Sequence, residues 1–477
     1  MKKTKTVCTL GPSSNNKDTL LKMVECGMNV ARLNFSHADH PTHLRNIGLI
    51  REVNEITQKN VGILLDTKGP EIRTHNFEGG TITFEHGDIV RITGKEVLGN
   101  REKISVTYQN IFSDIKVGQK ILIDDGYLEF DVIDKDKETE ELICQAVNGH
   151  RIKDKRGVNI PGADIQLEFI SEKDRSDIEF GCDHNVDFIA ASFVQTADDV
   201  REIEAILERK GKLGRIKIIA KIETVRAVKN ILDILDACDG VMVARGDLGV
   251  EVEVHDVPVI QKHIIKACQA QGKVSITATQ MLESMQQNPR PTRAEVSDVA
   301  NAVLDGSDAV MLSGETAAGM YPVESVRIMT SICERIEAEV DYPKFLDNAL
   351  SYKDHENLLP YTIASAVCHV SQHLGAKAIV TPSKSGITPR LVSKFRPHPP
   401  IIVITEDAKV ATTLALHYGV YVVLHHFVQD YHTLVEKCQK VSKEYLGLES
   451  GDHLILSAGL PLGIAGATNE MRILTIP

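Results

Sequence analysis

The 477-residue chain contains no uninterrupted apolar run of the roughly 18 residues that a membrane-spanning helix needs. The first residues, MKKTKTVCTL, are basic at the start but lack the apolar segment of a secretion signal, and they fit a first β-strand instead. We therefore expect a protein that neither spans a membrane nor carries a secretion signal.

Paired cysteines and an excess of positive charge are also missing. The nine cysteines are scattered and include no C-x-x-C pair, which favours reduced, mostly buried thiols in a cytoplasmic protein. A formal net charge of −12 argues against a nucleic acid or an anionic membrane as a partner. It leaves room for a small anion in a local basic pocket.

Several catalytic signatures are absent. We find no GxxxxGK[ST] loop, no GxGxxG, no HExxH and no nucleophile elbow. A nucleotide, if one is used, must be held without those phosphate-binding loops.

Short apolar runs rich in β-branched residues recur along the chain. Between them lie helical patterns such as those at 198–210, 224–236, 256–271 and 293–305. The runs are TKTVCTL (4–10), MNVARLN (28–34), VGILLDT (61–67), VDFIAAS (186–192), KIIAKIE (217–223), GVMVARG (240–246), VSITATQ (274–280) and DAVMLSG (308–314). Strands that alternate with helices predict a parallel sheet, and eight such units close a (β/α)8 TIM barrel. A doubly wound open sheet stays open as the alternative.

Two segments depart from this alternation of strands and helices. Residues 70–167 alternate apolar and polar residues between Gly and Asp-Gly turns, which predicts an antiparallel, β-rich insert. Because the insert follows the third strand, we expect a lid over the carboxyl ends of the barrel strands. After a long helix near 322–340 and a linker, YPKFLDNALSYKDHENLLP, a second α/β module with a mainly parallel sheet follows.

The predicted strands end in unusually polar residues. Side chains two apart in a strand point to one face, so several of these residues should converge where the strands end. They are Arg32, Asn34 and Ser36; Asp66 and Thr67; Lys221 and Glu223; Arg245, Gly246 and Asp247; and Thr277 and Thr279.

Any one of these residues alone is best explained as a salt bridge or a strand-end cap. As a set they suggest more, because charged groups are seldom buried unless they are paired or bind a metal. Glu223 and Asp247 offer oxygen ligands for magnesium, and Arg32 and Lys221 suit a phosphorylated substrate. Gly246 allows close approach of a ligand, at the start of a short helix that favours an anion. The pattern indicates metal-assisted phosphoryl or enolate chemistry.

A second candidate site is the loop TPSKSGITPRLVSKFRP in the C-terminal module. Small hydroxyls, a glycine and a lysine after a strand favour a phosphate cradle, although an ordinary Ser/Gly turn is an equal alternative on these residues alone. The residues are Ser383, Lys384, Ser385, Gly386 and Thr388, and the terminal loop GLPLGIAGATNEM could close over them.

The sequence resembles the pyruvate kinase family. The resemblance rests on VCTLGPSS, MNVARLNFSH, LLDTKGPEIRT, IIAKIE, VMVARGDLGVE, ATQMLESM and NPRPTRAEVSDVANAVLDGSDAVMLSGETAAG, which follow in that family's order. It implies a catalytic barrel at 1–69 and 168–340, a β-rich lid at 70–167 and a C-terminal regulatory domain at 341–477. It also implies a homotetramer, and the chain ends where some bacterial relatives continue into a further domain.

The resemblance implies phosphoryl transfer from phosphoenolpyruvate to ADP, giving pyruvate and ATP. Lys221 and Arg32 would contact the transferred phosphoryl group, and Glu223 and Asp247 would hold Mg²⁺ or Mn²⁺. Gly246, Asp247 and Thr279 would take the substrate carboxylate, with Thr279 on the route of the proton.

Further site residues are implied in the same way. Asn34, Ser36, Asp66 and Thr67 match a K⁺ site, and Ser313 and Glu315 look supportive or form a buried hydrogen-bonded pair. The nucleotide-side positions are Asn34, His37, Arg73 and Lys173. The loop at 383–388 matches the position of an effector site for a sugar phosphate or a nucleotide monophosphate.

Four residues depart from the family's pattern: Ala38 where glycine is usual, Thr224 and Arg226 after KIE, and Met320 where lysine is usual. None is a proposed ligand, so they bear on local loop geometry. Two rival functions remain, a magnesium-dependent lyase or aldolase acting on a pyruvate enolate, and a catalytically silent metabolite sensor. The presence of Lys221, Glu223, Asp247 and Thr279 counts against the sensor.

Glu71 in LLDTKGPEIRT generates a testable prediction. In the family, a carboxylate at this position accompanies dependence on added potassium, whereas a lysine supplies the positive charge itself. We expect activity to require K⁺, measured as turnover in buffers free of K⁺, Na⁺ and NH₄⁺ with and without added KCl. Full activity without a monovalent cation would contradict this expectation, and Glu71→Lys should reduce the requirement.

Overall fold

Eight parallel strands form a closed barrel in the computed structural model, which describes residues 1–163, 165, 167–350, 358–426, 430–462 and 468–477. The predicted (β/α)8 barrel is confirmed, and the open sheet is excluded. The barrel strands in chain order are Lys5–Thr9, Val30–Asn34, Gly62–Asp66, Phe188–Ala191, Lys217–Ile222, Gly240–Ala244, Val274–Ala278 and Ala309–Leu312.

Helices surround the barrel and bury its outer surface. They are Lys17–Glu25, His40–Thr57, Glu172–Asp183, Ala197–Arg209, Val225–Lys229, Ile231–Ala237, Arg245–Glu251, Val257–Gln271, Arg293–Asp305, Gly314–Ala317 and Pro322–Glu337, with a 3₁₀ turn at Glu283–Gln286. Two of them begin with a complete capping box, at Thr196 with Asp199 and at Thr292 with Glu295. None of the described helices is long and apolar enough to cross a membrane.

The barrel interior is apolar along most of its length. Every strand contributes to one buried cluster that includes Val7, Val30, Leu64, Ile219 and Met242. Because side chains alternate along a strand, the residues two positions beyond these point inward as well. This geometry places the polar strand ends at one mouth of the barrel.

The insert forms a seven-stranded sheet and a two-stranded sheet around its own core. Its strands are Ile72–Arg73, Thr81–Phe84, Ile89–Thr93, Lys103–Ser105, Lys120–Ile123, Leu128–Asp136, Glu141–Ala146, His150–Lys153 and Gly157–Asn159, with a short helix at Ile111–Asp114 and a 3₁₀ turn at Glu78–Gly80. The pairing is antiparallel as predicted, except that Ile89–Thr93 pairs in parallel with Lys103–Ser105.

The chain leaves the barrel for the insert at Gly69 and Pro70. Gly69 has φ +72, and a Cβ there would lie 2.8 Å from Cβ of Ser192, so both the backbone conformation and the lack of space exclude a side chain. Asp174, which is buried, accepts hydrogen bonds from the backbone N–H groups of Lys68 and Gly69 at 3.1 and 3.0 Å. This carboxylate holds the connection in place.

The C-terminal domain contains a five-stranded sheet, parallel except for its last strand, as predicted. The strands are Ala378–Pro382, Ile401–Thr405, Val420–Leu424, His453–Gly459 and Thr468–Thr475, and the helices are Tyr342–Leu350, Leu358–His373, Ile387–Lys394, Ala408–Thr413 and Tyr431–Leu446. The linker prediction was wrong for part of its length, because Tyr342–Leu350 is helical. Residues 351–357 of that segment lie outside the described residues.

The C-terminal domain covers the amino-terminal mouth of the barrel. Leu416 belongs to the apolar cluster of the barrel interior. Arg396, which is 4% exposed, donates to the carbonyls of Gly306 and Ser307 and to Asp308, and its guanidinium lies 4.4 Å from the Tyr418 ring. The barrel is therefore closed at this end by packing and by a buried ion pair.

All nine cysteines are unpaired, and eight of them are buried. Burial raises the pKa of the Cys8 and Cys144 thiols to about 12. These thiols are protonated at neutral pH and pack as small apolar groups.

Candidate active site

The carboxyl-terminal mouth of the barrel holds a layer of buried charges. Arg32 follows Val30 on the inward face of the second strand, Asp66 follows Leu64 on the third, and Lys221 follows Ile219 on the fifth. The exposed fractions are 9% for Arg32 and Lys221 and 1% for Asp66. The convergence predicted from strand periodicity is therefore present.

Asp66 lies between the two cations. Its Oδ2 atom is 2.6 Å from Nε of Arg32, and its Oδ1 atom is 3.2 Å from Nζ of Lys221. Burial alone would raise the pKa of Asp66, but Arg32 and Lys221 together lower it. The carboxylate is therefore ionised and holds both cations at the mouth of the barrel.

Lys221 has two further partners. Its Nζ atom donates to Oγ of Ser192 at 2.8 Å and lies 2.9 Å from Oε1 of Glu223. Burial acts to lower the pKa of Lys221, but the Asp66 and Glu223 carboxylates raise it above its ordinary value. The ammonium is a fixed positive charge, so its role would be electrostatic and not that of a base.

Ser192 directly follows the fourth strand and was not identified from the sequence. Its hydroxyl donates to the Thr67 carbonyl at 2.7 Å, and its N–H donates to Oγ1 of Thr67 at 3.1 Å. It thus connects Lys221 to the end of the third strand. The only indication in the sequence was that Ser192 ends the run VDFIAAS, where it places a hydroxyl directly after a buried strand.

Glu223 has one buried oxygen that makes no well-aligned hydrogen bond. Oε2 accepts the N–H of Phe193 at 2.6 Å, whereas Oε1 is in contact with Lys221 only as an ion pair. Burial raises the pKa of Glu223 to about 7, opposed by Lys221 and reinforced by Asp247. A buried oxygen with a spare lone pair beside a second carboxylate suits a divalent cation.

Asp247 lies in the helix Arg245–Glu251, which begins directly after the sixth strand. When Glu223 is ionised, the three carboxylates Asp66, Glu223 and Asp247 exceed the two cations Arg32 and Lys221 by one charge. Among the described residues no group of three or more His, Cys, Asp or Glu side chains could hold a metal. A two-carboxylate site matches Mg²⁺, which usually takes its remaining ligands from water and substrate phosphates.

Thr279 and Gly246 are in direct contact. Oγ1 of Thr279 accepts the Gly246 N–H at 2.8 Å and donates to the Ala278 carbonyl at 2.6 Å. The seventh strand ends at Ala278, and Thr279 has φ +65, so the predicted shared face with Thr277 is wrong. Thr277 pairs with Ser307 instead, at 2.7 Å.

Arg245 fixes the position of Thr279. Its guanidinium donates to the carbonyls of Ala278 and Thr279 and forms an ion pair with Asp298 at 2.7 Å. A left-handed threonine is unfavourable by roughly 1–2 kcal/mol. The hydrogen bonds from Arg245 help to hold this conformation next to Gly246.

The residues expected to bind K⁺ lie at the ends of the second and third strands. Asn34 and Asp66 are paired in register, and the Asn34 side chain accepts the Ser36 N–H at 3.0 Å. Thr67 follows Asp66 and presents its carbonyl to Ser192. All the candidate ligand atoms in this group are oxygens, which fits a monovalent cation, but Asp66 is shared with Arg32 and Lys221.

Lys173 lies against the loop after the second strand. Its Nζ atom donates to the Phe35 carbonyl at 2.8 Å and pairs with Asp177 at 2.6 Å. His37 is exposed in the same loop, where its carbonyl is bonded to His43. Three predicted nucleotide-side residues, Asn34, His37 and Lys173, are therefore neighbours.

Arg73 lies in the first strand of the insert and pairs with Glu71. Nη2 of Arg73 is 2.7 Å from Oε1 of Glu71, and Nε is 2.8 Å from Oε2. Glu71, whose charge motivated the potassium prediction, is thus directed toward Arg73 in this structure. The pair must separate if Arg73 is to contact nucleotide phosphates.

The tip of one lid hairpin lies over the helix that carries Asp247. A Cβ at Gly126 would be 3.6 Å from Val250, and Asn159 donates to Glu251 at 3.4 Å. Burial, Asp124 and Asp247 together raise the pKa of Asp125. The lid is in contact with the barrel at the mouth that holds the charged layer.

Glu315 is a buried hydrogen-bond acceptor. It accepts the backbone N–H groups of Leu282 and Ser313 at 3.0 and 2.7 Å, and burial raises its pKa. The Ser313 hydroxyl is buried and has no hydrogen-bond partner among the described residues. This arrangement fits a role of Glu315 in supporting the local backbone better than a direct role in catalysis.

The loop at 383–388 precedes the helix Ile387–Lys394. Oγ of Ser383 accepts the Gly386 N–H at 3.0 Å, and Gly386 has φ +77, which favours glycine. The hydroxyls of Thr388 and Thr468 lie 2.6 Å apart. Thr468 flanks the terminal loop, of which residues 463–467 lie outside the described residues.

Comparisons with known proteins decide the family. Residues 1–326 match the family model of the pyruvate kinase barrel domain, and residues 361–474 match that of the pyruvate kinase alpha/beta domain. The chain belongs to the pyruvate kinase family. This family membership confirms the resemblance and excludes the lyase, aldolase and sensor alternatives.

Individual relatives in the family are similar over nearly the whole chain. A pyruvate kinase of Geobacillus stearothermophilus is 50% identical over 99% of this chain and 80% of its own length. One from Staphylococcus aureus strain USA300 is 47% identical over the same shares. A crystal structure of a Cryptosporidium parvum pyruvate kinase has a TM-score of 0.95 at 40% identity, over 100% of this chain and 96% of that one.

The structure bears on two of the departures from the family's pattern, at positions 38 and 224. Ala38 has φ +63, a conformation in which glycine would be less strained. Thr224 caps the helix Val225–Lys229 by accepting the Ala227 N–H. Met320 is exposed, and nothing in the structure explains the change from lysine.

The geometry around Lys221 generates a mutational prediction. Lys221→Ala should lower turnover by about 10²–10³-fold or more, because the ammonium in contact with both Asp66 and Glu223 is lost. The measurement is kcat under saturating substrates, with circular dichroism as a check of folding. Ser192→Ala, which removes one hydrogen bond from Lys221, should cost less. Near-native turnover in Lys221→Ala would refute the role of Lys221.

Proposed function

We propose that this enzyme transfers the phosphoryl group of phosphoenolpyruvate to ADP, giving pyruvate and ATP, in the glycolysis of the cytoplasm. The observation that carries the proposal is the buried contact of Lys221 with Asp66, Ser192 and Glu223 at the lid-covered mouth of the barrel. Phosphoryl transfer depends chiefly on positioning and on compensation of phosphate charge. Fixed cations beside a pair of carboxylates supply both the positioning and the compensation of charge.

Arg32 and Lys221 would hold the transferred phosphoryl group. Arg32 uses Nε for Asp66 and Nη1 for Thr9, which leaves Nη2 without a hydrogen bond among the described residues. Lys221 is held in place by three neighbours and needs no rearrangement as charge develops. Both residues would therefore act as preorganised positive charges.

Glu223 and Asp247 would hold Mg²⁺ or Mn²⁺. When bound, a divalent ion supplies a concentrated positive charge that stabilises phosphate and enolate oxygens. The spare lone pair of Glu223 Oε1 and the excess of one negative charge in the layer support this assignment. The K⁺ site would be formed by Asn34, Ser36, Asp66 and Thr67.

Gly246, Asp247 and Thr279 would bind the substrate carboxylate. The Gly246 N–H donates to Thr279 Oγ1, so the two groups are close enough for one anion to accept from both once they exchange their present partners for it. The Thr279 hydroxyl donates to a backbone carbonyl and can redirect its proton by rotation about Cβ–Oγ1. We assign it to the route of proton delivery to the enolate.

ADP and ATP would bind between the barrel and the lid. Asn34, His37 and Lys173 are neighbours on the barrel side, and Arg73 lies on the lid side. For this contact Arg73 would exchange its ion pair with Glu71 for the nucleotide phosphates. The lid would then exclude water from the transfer.

We further propose that a phosphorylated metabolite regulates the enzyme at the loop of Ser383, Lys384, Ser385, Gly386 and Thr388, in a homotetramer. The hydroxyls and the glycine turn support a phosphate cradle in front of the helix Ile387–Lys394. The proposed domain boundaries are 1–69 and 168–340, 70–167, and 341–477. The Gly69 turn and the order of the sheets support them.

A coupled assay tests the reaction. Phosphoenolpyruvate and ADP should give pyruvate only when Mg²⁺ or Mn²⁺ is present, and EDTA should abolish turnover. Glu223→Gln should weaken the activation by Mn²⁺ by about tenfold or more, since a charged ligand is replaced by a neutral one. Glu208→Gln, the same change at an exposed position on a barrel helix, is the matched control and should leave metal activation unaltered. Metal-independent turnover would contradict the proposal.

A second experiment tests the regulatory loop. Ser385→Asp places a carboxylate in the cradle and should abolish the shift of the phosphoenolpyruvate saturation curve by sugar phosphates or nucleotide monophosphates. Turnover without effector should be unchanged, and the exposed Ser450→Asp of the same domain is the control. A response to effector that survives Ser385→Asp would leave the loop as an ordinary turn.

A further inference from the structure

A cavity of about 190 Å³ lies between the amino-terminal mouth of the barrel and the C-terminal domain, at the opposite end from the catalytic layer. The barrel side is formed by the beginnings of the fourth, fifth and seventh strands, with Phe188, Lys217 and Val274. Arg390 and His417 close it from the C-terminal domain. The cavity is therefore an interdomain space, separate from the loop at 383–388.

The cavity walls carry an excess of positive charge. Lys217, Lys273 and Arg390 line it, and Asp239 is the one carboxylate among the lining residues of the described chain. Asp239 is 3.0 Å from Lys217, whereas no carboxylate of the described residues lies within 4 Å of the charged nitrogens of Lys273 or Arg390. Two half-buried cations thus lack a paired anion within the described chain.

Lys273 and Arg390 are held by backbone carbonyls. Nζ of Lys273 donates to Cys238 at 2.6 Å, and Arg390 donates to Ser385 and Gly386, each at 3.1 Å. Carbonyl groups orient these cations but do not neutralise them. Burial lowers the pKa of Arg390, with Asp239 acting in the opposite direction, and burial together with Arg390 and Lys217 lowers the pKa of His417 to about 3. The effect of the two cations on His417 agrees with a positive potential on that side of the cavity.

Two polar atoms of the lining residues are buried without a hydrogen-bond partner in the described chain. They are Nδ1 of His417 and Oε1 of Gln271. A buried polar atom without a partner is costly unless something bonds to it. The imidazole can donate from Nδ1, whereas the amide oxygen can only accept.

We propose that this cavity binds a monohydrogen phosphate group, as inorganic phosphate or as the end of a small phosphate ester. Such a group accepts hydrogen bonds from Lys273, Arg390 and His417 and offers its own O–H to Gln271. Its charge matches the two cations that have no carboxylate partner among the described residues. This site requires neither the proposed transfer reaction nor the proposed regulatory loop. If an experiment refuted either of those proposals, the proposal for the cavity would still stand.

Arg390 gives the site a physical connection to the regulatory loop. The same guanidinium that lines the cavity holds the carbonyls of Ser385 and Gly386. An anion bound to Arg390 would also bridge the barrel and the C-terminal domain. By linkage, phosphate in the cavity and an effector in the loop should alter each other's affinity by equal factors.

Crystallography with arsenate locates the site. Arsenate has the shape and protonation of phosphate and gives an anomalous signal. Crystals of the full chain soaked in arsenate should show a peak between Lys273 and Arg390. A peak at the loop or the catalytic layer with none in the cavity would overturn the proposal.

Calorimetry with inorganic phosphate measures the affinity in solution. Lys273→Gln should weaken the cavity site by about 10- to 100-fold, because one charge-assisted hydrogen bond is lost. Lys273→Arg should retain binding, and Lys440→Gln, at an exposed position in the C-terminal domain, should match the native protein. Thermal unfolding of each variant without phosphate shows whether it folds.

Two further variants separate this site from the others. Ser385→Ala, which removes a hydroxyl of the loop without adding a charge beside Arg390, and Lys221→Ala should each leave the phosphate binding that Lys273→Gln removes. Phosphate binding that is unaltered by Lys273→Gln, or that is lost only in Ser385→Ala or Lys221→Ala, would refute the cavity site. Sulfate, which has no O–H at neutral pH, should bind more weakly. Equal affinity for sulfate would refute the assignment to a protonated phosphate.

Discussion

The ion pair of Asp66 with Arg32 and Lys221 is the interaction on which the mouth of the barrel depends. The carboxylate is almost fully buried, and each of its oxygens faces a different cation. Removing one partner from a buried pair typically costs about 3–5 kcal/mol, because the remaining charge is left without compensation. The second, third and fifth strands are thereby tied together at the ends where the polar residues gather.

The barrel interior changes from apolar to charged over two residues. Val30 and Arg32 both point inward from the second strand, and Leu64 and Asp66 both point inward from the third. The same alternation of side chains therefore produces both the apolar core and the polar layer. The apolar half excludes water and lowers the local dielectric, which strengthens the electrostatic interactions above it. The lid acts from the other side, where its hairpin tip is in contact with the helix that bears Asp247.

The C-terminal domain closes the opposite mouth by two kinds of contact. Leu416 extends the apolar core, and Arg396 forms a buried pair with Asp308. Beside these contacts the interface holds cations that carbonyl groups orient without neutralising. An interface that is partly packed and partly charged can respond to small anions, whereas a wholly apolar one cannot. Arg390 joins that charged part of the interface to the loop at 383–388.

Periodicity and local chemistry in the sequence were enough to predict the repeated βα units, the β-rich insert, the α/β module and the inward direction of Arg32, Asp66 and Lys221, whereas the closure of the eight strands into a barrel was decided by the tertiary structure. The predicted features follow from alternation within single strands, which needs no knowledge of neighbours. Only the tertiary structure revealed Ser192 as the partner of Lys221, the left-handed Thr279 that ends the seventh strand early, the Glu71–Arg73 pair and the cavity around Lys273. Each of these depends on which segments distant in sequence come together, and on backbone geometry at a strand end, neither of which a residue pattern specifies.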